Sequence, residues 1–141
     1  MESCKIPFPF HSNLKPSFHF LDSPSLSFSP HSSLVNNAGI TAGLLFDWND
    51  FESVDRKVIE VNLIGTMRMT KAMLPQLIKG RGRLIVVSSL AGKDHVPFGA
   101  AYAASKHGLY GFADSIRVEL YPLDVDVITI APGKSPFLKS P

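Results

Sequence analysis

The chain has 141 residues, which suits one domain at most, since domains typically hold ~100–150. Its 45% hydrophobic and 18% charged content is that of a globular chain, and a net charge of +2 with no dense Lys/Arg run argues against a nucleic-acid partner. The single cysteine, Cys4, forms no internal disulfide, and the five histidines show no metal-ligand spacing. No apolar run approaches the ~18–20 residues that cross a bilayer, so a soluble or peripheral protein, cytoplasmic by default, is expected.

Residues 1–33 differ from the rest: Ser, Pro, Phe and His dominate, and prolines at 7, 9, 16, 24 and 30 break any regular element. Few acidic residues and many serines resemble an organelle transit peptide, but arginine is absent; an irregular tail, or sequence joined at an unusual splice or gene boundary, is the plainer reading. From Leu34 the character changes. Leu34-Val35 reads as a strand end passing into the turn Asn36-Asn37-Ala38-Gly39, where Gly39 permits close approach to a neighbour or ligand. A polar loop from Thr41 to Asn49 leads to a helix that Asn49 or Asp50 caps. Val54, Val58, Val61, Met69, Met73 and Leu77 mark its apolar face up to Lys79. Asn62 falls inside that pattern against its propensity, so it either faces solvent or is kept for hydrogen bonding.

Gly80-Arg81-Gly82 stops this helix, and Arg83–Val87 reads as a buried strand. After the loop from Ser88 to Gly99 comes a helix over about Ala100–Leu120, with Pro122 just past its end. Val125–Ile130 reads as a third strand, closed by Ala131-Pro132-Gly133, and residues 134–141 show no period. Strand, helix, strand, helix, strand, with a continuously apolar middle strand, predicts an α/β fold. It would be a partial doubly wound parallel sheet of about three strands with two long helices.

Within the second helix Tyr102 and Lys106 stand four apart and share a face. An ammonium beside a phenol favours the phenolate and suits it to proton transfer, and a hydroxyl at Ser89 is placed to hydrogen-bond the same substrate oxygen. Such a set suits an alcohol or carbonyl undergoing hydride transfer. The plain alternative is an exposed Tyr and Lys at a common helical spacing.

Several separate motifs now agree. Asn36-Asn37-Ala38-Gly39, Asn62 in VNLIGT, Ser89 in VVSSLAG, Tyr102-Ala-Ala-Ser-Lys106 and Pro132-Gly133 stand in the order and spacing of the short-chain dehydrogenase/reductase family, over Leu34 to about Gly133. The chain resembles that family, and SSLAGK with YAASKH is similar to its branch of hydroxysteroid and membrane-associated enzymes. The resemblance implies a Rossmann-like domain over 34–133 and an NAD(P)-dependent oxidoreductase interconverting an alcohol with a ketone or aldehyde. It implies that Tyr102 is the acid/base, and that Lys106 favours the phenolate and binds the nicotinamide ribose. Ser89 would bind the substrate oxygen, with Ser88 the lesser candidate, and Asn62 would hold a water linking the lysine to solvent. Asn37, Ala38 and Gly39 would line the cofactor site, with Pro132 and Gly133 near the nicotinamide; no metal is implied. Partners would be an alcohol or carbonyl substrate, steroid- or lipid-like in that branch, and a second copy packed through the two long helices.

The family pattern also begins with a strand and a TGxxxGIG turn that receives the cofactor pyrophosphate, followed by an acidic or basic residue that selects NAD or NADP. Nothing before Leu34 matches either, and KSPFLKSP stands where a substrate-binding segment would follow. The cofactor preference is therefore unreadable. A catalytically inactive truncated fragment, at most associating with other subunits, is the alternative expectation. With both crossovers advancing in one direction, both helices fall on one face of the sheet and the other face exposes apolar side chains. At ~25 cal/mol per Å2, a few hundred Å2 left wet forgoes several kcal/mol, so a marginal, association-prone chain is expected.

Overall fold

The computed structural model describes residues 32–41, 51–94 and 97–133. Three parallel strands, β1 (Ser33–Asn36), β2 (Arg83–Val87) and β3 (Asp126–Ile130), lie in the order β1-β2-β3. Leu34 stands opposite Leu84, and Leu84 opposite Val127. Between β1 and β2 runs the first long helix, an unbroken helical run made of Phe51–Asp55, Arg56–Ile59, Glu60–Ile64 and Gly65–Gly80. The first and third of these pieces are wide π-turns. The second long helix, Ala100–Leu120, joins β2 to β3. The domain limits set at 33 and 134 lie at or beyond the edges of the described residues, as does the expected Asn49 or Asp50 cap.

Period-two alternation in the strands decides which side chains enter the core. Leu84, Val86 and Val127 point to the helices and pack with Leu77, Leu109, Ala113 and Leu120 in one cluster. Both helices therefore serve a single apolar core. The opposite face carries the other half of the alternation. Val35, Ile85 and Ile128 lie in register across all three strands, and Val35 is 54% and Ile128 40% exposed. Among the described residues the sheet is covered on one side only.

The first helix departs from the expected apolar stripe at one point. Met69 is half exposed, and the inward position belongs to its neighbour Thr70. The buried positions are Val58, Asn62, Thr66, Thr70, Met73 and Leu77. Steps of four drift by about 40° each on a regular helix. The wide turn at Glu60–Ile64 absorbs part of that drift and keeps three polar side chains facing inward. A search for apolar residues at helical spacing passes over such positions.

The stop after this helix divides its labour between two residues. Arg81 takes the left-handed angle (φ 47°), while Gly82 sits so close to the chain entering β1 that a Cβ there would lie 2.5 Å from the Ser32 carbonyl oxygen. All three strands run the same way, so the segments leaving Asn36, Val87 and Ile130 gather at one edge of the sheet. Open parallel sheets bind their ligands at that edge.

Candidate active site

The three segments enclose a cleft of about 320 Å³, near the lower end of ordinary ligand pockets, roughly 300–1,000 Å³. Asn37, Gly39, Ile40 and Thr41 enter it from the loop after β1, and Val87, Ser88 and Ser89 from the end of β2. Tyr102 and Lys106 enter from the second helix, and Pro132 and Gly133 from the segment after β3. Seven of the nine site residues read from the sequence thus meet in one cleft. Ala38 is exposed and does not line it, and Asn62 stands behind the wall, fully buried.

Lys106 is 4% exposed, and its Nζ donates to the Val87 carbonyl at 3.1 Å. The ammonium lies 5.6 Å from the centre of the Tyr102 ring, which the four-residue helical spacing places on the same face. Burial pushes the Lys106 amine below its ordinary lysine value, because desolvation disfavours the charged form. An ammonium carries three donors, and beyond the one that meets Val87 it can serve hydroxyl or phosphate groups in the cleft.

Ser88 and Ser89 separate by environment. Ser88 is buried and donates its hydroxyl to the Lys106 backbone carbonyl at 2.9 Å. Ser89 is extended at the start of the short turn Leu90–Gly92, and its Oγ accepts from the Ala91 N–H at 3.1 Å. That bond orients the Ser89 oxygen and leaves its O–H proton able to donate into the cleft.

Asn62 ties three segments together. Its Nδ2 donates to the Ile40 carbonyl (2.8 Å) and to the Ser105 hydroxyl (3.0 Å), while its Oδ1 accepts from the Ile40 N–H (2.8 Å). Ser105 in turn donates to the Tyr102 carbonyl at 2.7 Å. Of the two expectations for Asn62, solvent or hydrogen bonding, the second holds, and its partners are protein groups. A Cβ on Gly39 would come 3.3 Å from the Asn62 Oδ1 and 3.5 Å from the Lys106 Nζ, so a small residue keeps this corner open. A further buried link joins Asn36 Nδ2 to Thr70 Oγ1 at 2.8 Å. Sequence reading missed Asn36, Thr70 and Ser105 as supports, and Ile40, Thr41 and Val87 as wall residues. The four-residue steps Asn62, Thr66, Thr70 are the trace they leave in the sequence.

Among the described residues no group of three His, Cys, Asp or Glu side chains is placed to hold a metal, and no helix is long and apolar enough to cross a membrane.

Residues 27–135 match the family model described as short chain dehydrogenase. The chain is 46% identical over 102 residues to dehydrogenase/reductase SDR family member 7B of Xenopus laevis, an alignment covering 71% of this chain and 31% of that protein. Among solved structures, a short chain dehydrogenase from Burkholderia cenocepacia in complex with NADP superposes with a TM-score of 0.67 at 31% identity. It covers 78% of this chain and 50% of that one. A 4-hydroxyisoleucine dehydrogenase complexed with NADH and succinate gives a TM-score of 0.67 at 28% identity, over 72% and 48% of the two chains. The chain therefore spans about a third of the curated relative's length and half of the solved ones.

Proposed function

The chain belongs to the short chain dehydrogenase family, and from that premise we propose that it carries the acid/base part of an oxidoreductase site interconverting an alcohol with a ketone or aldehyde. The observation that carries this reading is the buried Lys106 ammonium held beside Tyr102 in a cleft that Ser89 also lines.

NAD or NADP, when bound, would supply or accept the hydride. The residues present fit such a group: a buried lysine with donors to give, polar backbone from the loop after β1, and a glycine where a side chain would intrude on Lys106. Lys106 would bind ribose hydroxyls, with Asn37, Ala38 and Gly39 along the cofactor and Pro132-Gly133 near the nicotinamide. In reduction Tyr102 gives its phenolic proton to the carbonyl oxygen; in oxidation the phenolate takes the proton from the hydroxyl. Ser89 donates its hydroxyl to the same oxygen and orients the substrate. Lys106 sets its ammonium 5.6 Å from the Tyr102 ring centre, beside the phenol that exchanges the proton. Asn62 keeps the loop at Ile40 and the helix carrying Tyr102 in one frame, and a water beside it would carry protons between Lys106 and solvent. The substrate would be a small alcohol or carbonyl compound, and a second copy would pack through the two long helices.

A second reading, in which the chain associates with other subunits without catalysing, draws on the apolar sheet face left open at Val35 and Ile128. Titration of NADH and NADPH by nucleotide fluorescence separates the two. Submillimolar binding that is lost in Lys106→Ala supports the oxidoreductase site. Absence of binding to a folded chain removes it.

A further inference from the structure

We propose that Ser88 is a positioning residue for Lys106, holding the lysine's backbone while the neighbouring Val87 holds its ammonium. The inference rests on the reading of Lys106 as a functional group. Two consecutive residues at the end of β2 grip the two ends of one side chain: Ser88 Oγ donates to the Lys106 carbonyl at 2.9 Å, and the Val87 carbonyl accepts from Lys106 Nζ at 3.1 Å. The carbonyl that Ser88 reaches lies inside the helix Ala100–Leu120, where the backbone ladder already supplies a partner. Helix formation does not require the hydroxyl; it sets the height of the helix against the strand.

The packing beside this bond leaves no slack. A Cβ on Gly92 would lie 2.7 Å from the Lys106 carbonyl oxygen and 2.8 Å from Ser88 Oγ, so strand end, turn and helix meet with no side chain between them. Ser88 is further tied to β3, its N–H donating to the Ile130 carbonyl at 2.8 Å. A displacement of the helix at Lys106 also displaces Tyr102, one turn earlier. The contrast with Ser89 is chemical: the Ser88 proton is committed to a backbone carbonyl, so Ser88 takes no part in proton transfer.

Loss of the hydroxyl lets the helix lift and water reach the ammonium, which returns the amine toward ordinary lysine behaviour. The groups facing it are Tyr102 on its own helix and Gly39 and Asn62 opposite. The test uses the full chain and modifies it with an amine-acylating reagent across a pH series, read at Lys106 and at exposed Lys71 by peptide mass spectrometry. In the wild type the Lys106 midpoint lies below the ordinary lysine value. Ser88→Ala moves it toward that value, Ser88→Cys moves it less, and Thr70→Val, which breaks a buried bond elsewhere, lowers the Tm without moving it. An unmoved Lys106 midpoint in Ser88→Ala, or an equal shift in Thr70→Val, overturns the proposal; if Ser88→Ala does not fold, Ser88→Cys decides. The readout needs neither cofactor nor substrate. A chain that binds no NAD(P)H but shows the shift refutes the oxidoreductase reading and keeps the clamp.

Discussion

Replacing Asn62 tests whether one buried amide holds the site's framework. The side chain is fully buried and makes three hydrogen bonds, two to the Ile40 backbone and one to Ser105. A hydrogen bond typically contributes about 0.5–1.5 kcal/mol net, and a buried partner left unpaired costs about 1–3 kcal/mol. Asn62→Ala should therefore lose about 3 kcal/mol, a large share of the ~5–15 kcal/mol of an ordinary domain. Asn62→Asp should lose at least as much, because the oxygen that replaces the amide nitrogen faces the Ile40 carbonyl and a charge is buried. Urea unfolding followed by circular dichroism measures the loss, and amide hydrogen exchange locates it: the Ile40 N–H should exchange about tenfold faster or more as its local opening becomes easier. A loss under about 1 kcal/mol with unchanged protection at Ile40 would refute the reasoning.

Lys106 should leave a mark on the pH dependence of stability. Its folded-state value lies below the unfolded value of about 10.4, so the penalty of burying the ammonium is fully present at neutral pH. It is relieved as pH rises through the window between the two. Lys106→Met lacks this term, so the stability difference should move in the wild type's favour as pH rises toward about 10.4, read from urea midpoints; a flat difference contradicts the burial. Two glycines should respond oppositely to alanine. Gly82→Ala pushes a Cβ to 2.5 Å from the Ser32 carbonyl oxygen and should destabilise by about 1–3 kcal/mol. Gly111→Ala meets nothing within 4 Å on a helix and should stabilise by about 0.5–1 kcal/mol in the same assay. The one-sided sheet predicts a similar contrast: Leu84→Ala, at a fully buried position, should lose about 2–5 kcal/mol. Val35→Ala, at a position 54% exposed, should stay within about 0.5–1 kcal/mol.

Local chemistry made much of this protein legible before its fold was known. The apolar run of β2, the helical recurrence in the first helix and the Pro122 stop after the second depend only on neighbours a few residues away, so the element order and the α/β class follow from the sequence alone. The pairing of Tyr102 with Lys106 is legible for the same reason, since four residues make one helical turn. Tertiary structure decided the remainder, because the deciding partners are far apart in the chain. Asn62 bonds Ile40 across 22 positions and Ser105 across 43, and that distance turned an awkward helical asparagine into a hub. Ser88 and Ser89 are adjacent, and the family spacing ranked Ser89 first; only the structure shows that the Lys106 carbonyl, 18 positions on, takes up the Ser88 proton. Thr70 displaced Met69 from the core because a π-turn rotated the helix, and hydrogen bonding to Asn36 satisfied the threonine there. The open face of the sheet was expected from two crossovers advancing in one direction, but only the strand register decided that Val35, Ile85 and Ile128 are the side chains that share it.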